Sequence, residues 1–500
     1  MKNIAVINAI SLSPYTLKPI YQGKSAFQFV REYSESLPET DKKIYLVSHD
    51  SNSILEKDIL VYKKEKKEWN IINLLKSLKE ITEGYDNIFY FYADTPYLDS
   101  TITNRMYKNH LKYFANYTFS DGYPYGITPE ILKPEILPAL IQLGNEENKD
   151  IEPGSIFNIL KRDINSFDVE TELSPKDLRM LRVYLSTDCK RNFLIVKGLY
   201  EHGIDNAELL VQEIEKNQEL LRTVPVFYNI QVVEGCPQNC SYCPYPQLRK
   251  PETGKQGEMP LEDFEKIIHQ IKQLSEHAVI SISLWGEPSY HSRIEKIVQN
   301  VLQSEGLSLI IETSGIGWKN ETLSQIRKHN PASPAWIISL DASRKDIYDL
   351  VRGQGMEEAL SFIETVSDYF PGKVYVQAVR MKDNEEDLEM LYKNWKNRKQ
   401  ELIIQKYDHF CHKLPDKRVT DLSPVKRMPC WHIKRDMNIL LNGDVPLCRE
   451  DLDKKFLLGN IFKQDLKEIW MSGFKIYQSH LEDNYNELCA GCDEYYTYNF

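Results

Sequence analysis

The sequence predicts an α/β protein centred on a parallel sheet curled into part of a barrel. Between about residues 223 and 410, six apolar stretches of strand length alternate with amphipathic helical stretches. Repeated right-handed strand-helix-strand crossovers of that kind lay strands side by side with helices packed outside them. Residues 1 to about 145 show the same alternation on a smaller scale, which predicts a second α/β layer structure in front of the barrel. The third observation is the placing of the cysteines, eight of which fall between Cys236 and Cys492.

Five hundred residues are ample for about three domains with buried cores. Hydrophobic residues make up 42% of the chain, and the mean hydropathy of -0.47 is that of a soluble protein. The 62 lysines and arginines are outnumbered by 73 aspartates and glutamates, so no global basic field calls for nucleic acid. The opening run Ile4 to Ile10 is too short for a membrane span and reads as a first strand. We therefore expect a cytoplasmic protein with no membrane partner. Nine cysteines in a large chain of this kind argue for metal ligation over disulfides.

In the front region, 1–145, Ile4 to Ile10, Lys43 to Val47 and Ile88 to Tyr92 read as strands, and Ala26 to Ser36 and Ile71 to Thr82 as helices. The opening strand, Lys18-Pro19 with Gly23-Lys24-Ser25 beyond it, and Tyr92-Ala93-Asp94-Thr95-Pro96 after a strand together resemble the nucleotidyltransferase (GT-A-like) fold. That resemblance makes Asp94 a metal-binding position. It also implies a glycine-rich phosphate loop after the first strand, where this chain has Asn8-Ala9-Ile10-Ser11-Leu12-Ser13-Pro14. We expect binding or scaffolding from this region, not nucleotide transfer. Gly23-Lys24-Ser25 ends like a P-loop, but Lys18 stands where the first glycine belongs. Residues 146–222 are charged and read as a helical connector. Ser174-Pro175 looks like an N-cap with proline at N1, and Leu178, Leu181 and Leu185 follow at helical spacing. Cys189, alone within it, reads as a core thiol.

In the barrel region, 223–410, the strand candidates are Phe227 to Val233, Ala278 to Trp285, Leu307 to Thr313, Ala335 to Asp341, Lys373 to Val379 and Glu401 to Tyr407. Phe264, Ile267, Ile268, Ile271 and Leu274 form one helical stripe; Ile294, Ile297, Val298, Val301 and Leu302 form another. Barrel chemistry sits at the carboxyl ends of strands. There the first strand leads into Cys236-Pro237-Gln238-Asn239-Cys240-Ser241-Tyr242-Cys243. Three thiolates at this spacing can bind three irons of a cubane cluster, one short of closing it. A zinc loop more often runs CxxC and needs a fourth ligand.

This stretch, with Tyr242 before the third cysteine, resembles the signature of the radical SAM superfamily, whose open iron chelates S-adenosylmethionine (SAM). The resemblance implies a partial (β/α)6 barrel, a [4Fe-4S] cluster, SAM, and a flavodoxin- or ferredoxin-type reductant. Trp285-Gly286-Glu287-Pro288 resembles the family's GGEP motif, with tryptophan in the first glycine position. It implies that Gly286, Glu287 and Pro288 meet the SAM ammonium. Thr313, Ser339 and Asp341 look like ribose and methionine contacts, and Arg380 is placed to pair with the SAM carboxylate. A structural ion pair between Asp341 and Arg380 is the rival reading of those two.

In the last region, 411–500, Cys430, twelve residues, Gly443, four residues, Cys448, and then Cys489-Ala490-Gly491-Cys492 resemble the SPASM extension of the same enzymes. Leu458-Gly459-Asn460-Ile461 and Leu466 to Trp470 support it. Four cysteines, with Cys411 outside the pattern, match the shortened "twitch" form, which implies one auxiliary [4Fe-4S] cluster; a four-cysteine zinc knot is the rival. The whole order of regions is most similar to the spiro-SPASM group. The resemblance implies an enzyme that cleaves SAM reductively and abstracts a substrate hydrogen from a peptide or protein. A small sugar-like substrate, or a non-catalytic iron-sulfur protein with a regulatory role, are the alternatives. Arg449 follows Cys448 where sulfatase-maturating relatives place an Asp base, leaving Glu450 and Asp451 as the acidic candidates.

Overall fold

The computed structural model describes residues 1–52, 59–144, 149–245, 257–329 and 332–498. Its contacts divide the chain into two units, Met1–Leu221 and Arg222–Phe500.

The first unit is built on a seven-stranded sheet. In spatial order its strands are Val61–Lys64, Thr40–Ser48, Asn3–Ala9, Asn87–Tyr92, Glu130–Leu132, Tyr117–Asp121 and Val169–Leu173. The first four run parallel, and Glu130–Leu132 runs against both its neighbours. The period of two decides the layering. Ile4 and Val6 of the central strand face one core, while Ala5, Ile7 and Ala9 face the other. The helices Ala26–Glu35 and Ile71–Ile81 form where expected, the first closed by a capping box between Ser25 and Gln28. Ser25 is thus spent as a cap and Gly23, at φ +77, turns a small hairpin, so Gly23-Lys24-Ser25 has no phosphate-loop form.

The connector expected over 146–222 is helical at Ser155–Leu160, Lys190–Glu201 and Ala207–Glu213, but its middle needs correcting. Val169–Leu173 is a strand that adds in parallel to Tyr117–Asp121. The leucines of 178–185 do not lie on a helix, since only the single 3-10 turn Arg179–Leu181 forms there. The reason is hydrogen bonding. The amides of Ser174 and Leu178 donate to the carbonyls of Asp121 and Gly122, at 2.9 and 2.8 Å, so the segment is laid along the neighbouring chain before a helix can start. The expected boundary at 145/146 lies outside the described residues.

The second unit carries a parallel sheet of seven strands: Glu401–Lys406, Val374–Arg380, Ala335–Ser339, Leu307–Thr313, Ala278–Ser281, Phe227–Ile230 and Asp436–Ile439. The six expected strands lie side by side in chain order, all parallel, as an open (β/α)6 barrel requires. The expected apolar stripes are buried in Leu261–Ser275 and Ile294–Leu302. The seventh strand, Asp436–Ile439, comes from the cysteine-rich end and pairs in parallel with the first barrel strand. Beyond it lie the antiparallel hairpin Asp444–Pro446 and Leu457–Asn460 and three short helices.

Candidate active site

The cysteine loop leaves the carboxyl end of Phe227–Ile230 and is pinned on two sides. The amides of Asn239 and Ser241 donate to the carbonyls of Arg352 and Val351, at 3.0 and 2.8 Å, and the amide of Glu287 donates to the carbonyl of Gly235 at 2.8 Å. Cys236, Cys240 and Cys243 are thereby held as electrostatic neighbours of one another. Burial pushes the Cys236 thiol up to about 11 and the Cys243 thiol up to about 12. Without a metal these sulfurs keep their protons, and a bound cluster displaces them.

The turn after the second strand is built around close approach. A Cβ on Gly286 would lie 2.1 Å from the carbonyl oxygen of Val233, so only glycine fits. Trp285 before it stands at φ +51, where the family's glycine is the easy residue and a tryptophan must be held by its surroundings. Pro288 opens a short 3-10 turn. The Glu287 carboxylate is buried and accepts from the hydroxyl of Thr313, from the amide of Ser289 at 3.4 Å, and from the amide and hydroxyl of Ser314, both at 2.7 Å. Burial raises its pKa, and these donors pull it back. The turn and the end of the third strand are therefore one hydrogen-bonded group.

Asp341 is not paired with Arg380. It is fully buried at φ +62, and its carboxylate accepts from Tyr242 Oη at 2.7 Å, Arg352 Nη1 at 2.5 Å and the Val379 amide at 2.6 Å. Arg352 also donates to Tyr242 Oη. Arg380 makes a two-point pair with Glu385, at 2.7 and 2.6 Å, on the first turn of helix Glu385–Trp395. The Asp341–Arg380 pair is thus replaced by other partners. Ser339 ends its strand in register with Gln377. Sequence reasoning missed Arg352, which is 3% exposed and puts a buried positive charge beside Cys240. Arginine one residue past an ordinary helix carries no pattern that marks it.

The late cysteines meet at a second place. Cys430 caps the short helix Trp431–Arg435, Cys448 follows the first hairpin strand, and Cys489 sits in Glu487–Ala490, whose cap Asn486 accepts the Cys489 amide at 2.8 Å. Cys430, Cys448, Cys489 and Cys492 line one cavity, and so do Cys411, Glu450 and His480. Glu450 Oε2 and His480 Nε2 are buried there without a hydrogen-bond partner among the described residues. Arg449 fans out beside the cavity, donating to Glu450 Oε1 and Asp408 Oδ2, both at 3.0 Å, and to Glu494 Oε2 at 3.3 Å. Lys406, ending the sixth strand, pairs with Glu494 and with Asp493. The acidic candidates divide accordingly. Glu450 faces the cavity, while Asp451 is tied to the amides of Lys455 and Phe456.

Residues 230–394 match the radical SAM superfamily, and residues 430–493 match the iron-sulfur cluster-binding domain SPASM. The protein is a radical SAM enzyme. A relative in Treponema pallidum (strain Nichols), described as an uncharacterized protein, shares 39% identity with it over 358 residues, 69% of this chain and 98% of the relative. Among solved structures, this radical SAM enzyme is similar to Streptococcus suis SuiB bound to its precursor peptide SuiA. There the TM-score is 0.42 at 17% identity, over 68% of this chain and 78% of that one. It is also similar to a cytidylyltransferase from Leptospira borgpetersenii, with a TM-score of 0.36 at 15% identity, over 44% of this chain and 96% of that one.

The cofactors of this radical SAM enzyme are a [4Fe-4S] cluster, SAM and auxiliary iron-sulfur. Both thiol groups fit them. Three sulfurs on one pinned loop offer one ligand fewer than a cubane has irons, and Arg352 supplies positive charge against the thiolates. The second cavity offers sulfurs from four separate segments, with the unpartnered Glu450 Oε2 and His480 Nε2 beside them. No described helix is long and apolar enough to cross a membrane.

Proposed function

We propose that Cys236, Cys240 and Cys243 hold the SAM-binding cluster, and that Cys430, Cys448, Cys489 and Cys492 hold one auxiliary [4Fe-4S] cluster. When bound, the first cluster and SAM supply reductive cleavage of SAM and abstraction of a hydrogen from the substrate. A flavodoxin- or ferredoxin-type protein supplies the electron. The chain's own part is positioning. The Gly286-Glu287-Pro288 turn offers a buried carboxylate to the SAM ammonium, and Thr313 and Ser314 orient that carboxylate. Tyr242 on the cysteine loop and Asp341 beside it fix Arg352, which offsets the negative charge of the thiolates. Ser339 and Arg380 remain cofactor contacts in this reading.

The observation that carries the proposal is the gathering of three half-buried thiols on one loop beside the buried carboxylate of Glu287. The test is anaerobic reconstitution of the full chain with iron and sulfide counted and SAM products analysed in dithionite. Replacing Cys236, Cys240 and Cys243 together with alanine is expected to abolish 5′-deoxyadenosine and to leave about half of the iron, if each cubane carries four. Undiminished SAM cleavage in that variant overturns the assignment.

For the substrate we propose a peptide or protein segment, the reading that the SPASM resemblance supports. The clustered charges of Lys406, Arg449, Glu494 and Glu312 favour a second reading, a small polar molecule. Size-fractionated extract from the source cells, added to reduced enzyme and SAM, separates them. Stimulation of deoxyadenosine formation confined to the protease-resistant small-molecule fraction removes the peptide.

For the front unit we propose scaffolding or binding. Asp94 is buried beside a second carboxylate, Asp188, and burial with that neighbour pushes it up to about 7. Pyrophosphate release from a nucleoside triphosphate and a sugar phosphate, lost in Asp94→Asn, would overturn this.

A further inference from the structure

Five thiols, not four, line the auxiliary cavity. Cys411 lies outside the SPASM spacing, yet its thiol stands within hydrogen-bonding reach of Cys492 and is an electrostatic neighbour of Cys448. The backbone that puts it there is strained. Phe410, Cys411 and His412 follow one another at φ +49, +51 and +67, three successive residues without a glycine in the left-handed region. L-residues visit that region singly and at a cost, so such a run persists only where its surroundings impose it. Here they do. The amide of Phe410 donates to Asp408 Oδ1 at 2.8 Å, that of His412 to His409 Nδ1 at 3.0 Å and that of Leu414 to the His409 carbonyl at 3.0 Å. The rings of His409 and His412 stack with centroids 4.4 Å apart, and His409 Nε2 lies 3.4 Å from Asp493 Oδ1. A turn tied down on every side and aimed at a cysteine-lined cavity is not needed to pack a bystander thiol.

We propose that Cys411 is a reserve ligand of the auxiliary cluster, exchanging with Cys492 at the same iron. The proposal rests on the reading of this cavity as a cluster site. In the exchange, the iron-sulfur bond to Cys492 breaks as the bond to Cys411 forms. The thiol proton of Cys411 passes to the released sulfur, and no electron moves. The two residues after Cys492 are Asp493 and Glu494, which pair with Lys406 at the end of the sixth barrel strand and with Arg449. Releasing Cys492 therefore loosens the carboxylates that order the barrel mouth.

The experiment uses the full-length chain with Cys236, Cys240 and Cys243 replaced by alanine, reconstituted anaerobically so that only auxiliary iron remains. Iron content, Mössbauer spectra and the electron paramagnetic resonance of the reduced protein are the readouts. The background and its Cys411→Ala variant are expected to hold about four irons per chain as a cubane. Cys492→Ala is expected to keep that cubane because Cys411 replaces the lost ligand, while Cys411→Ala with Cys492→Ala loses most of it. Cys489→Ala, whose neighbouring thiol Cys492 is already a ligand, is expected to lose it as well. The exchange is overturned if Cys492→Ala loses as much iron as the double variant, if the double variant retains the cubane, or if Cys411→Ala alone loses it. A background without iron overturns the cluster reading itself and this proposal with it, so the two failures are told apart.

Discussion

Phe410 and Trp285 meet ring to ring, with centroids 5.6 Å apart and planes at 55°. One belongs to the left-handed turn that carries Cys411, the other to the turn that presents Glu287, and both residues have positive φ. The contact joins two strained loops through their side chains. Phe410→Ala and Trp285→Ala are each expected to lower the urea midpoint, with a coupling between them of about 0.5–1.5 kcal/mol beyond the sum of area lost. Strict additivity in the double variant would show that the rings touch without holding either loop.

Gly286→Ala is expected to fail for a steric reason. Its Cβ would sit 2.1 Å from a backbone oxygen that belongs to Val233, so the turn must move as a whole. We expect at least a tenfold loss of deoxyadenosine formation, with iron content at the cysteine loop less affected. Wild-type turnover in this variant would mean that the turn does not position SAM.

Arg352 and Asp341 form a pair that is buried on both sides, 4% and 0% exposed at the side chain. Removing one charge strands the other, so Arg352→Met is expected to cost about 3–5 kcal/mol. Adding Asp341→Asn should recover part of that loss, measurable by thermal unfolding of the reconstituted protein. A double variant no more stable than Arg352→Met would assign the cost to packing alone.

His110 predicts a pH response in the front unit. Its ring lies 2.8 Å from Thr118 Oγ1 and 3.1 Å from Asn87 Oδ1, and burial lowers its pKa to about 4. The folded state keeps the ring neutral while the unfolded chain binds a proton below about 6.5. Stability from this group is therefore complete above that pH and is lost as pH falls towards 4, by up to about 3 kcal/mol. His110→Gln should flatten that slope in urea unfolding followed between pH 7 and 4. An unchanged slope would place the proton uptake elsewhere.

The six barrel strands and both thiol groups were legible because each rests on a local pattern: period-two and helical apolar spacing, and short cysteine intervals. The misses share another cause. Arg352, Asp188 and the pairing of Arg380 with Glu385 depend on which way a polar side chain turns after folding, and spacing does not encode that. Ser174-Pro175 carries a sound helix-start signal, but the carbonyls of Asp121 and Gly122 accept the amides of Ser174 and Leu178 instead. Cys411 lay outside the motif because a left-handed run made of Phe, Cys and His has no compositional mark. Its site exists only once Asp408, His409 and Asp493 have assembled around it.

The strand Asp436–Ile439 bears on how the chain is made. Phe227–Ile230 has Ala278–Ser281 on one side, and its other edge is closed only by this segment from near the far end of the sequence. During synthesis that edge stays bare until the barrel helices and the stretch containing Cys411 and Cys430 have all emerged. A bare edge is a template for pairing with other chains. A truncation ending near residue 410 should therefore aggregate instead of yielding a smaller soluble barrel. The cysteine-rich end then acts as the last stave of the barrel as well as a metal site, and metal delivery and completion of the sheet converge on the same late stretch of chain.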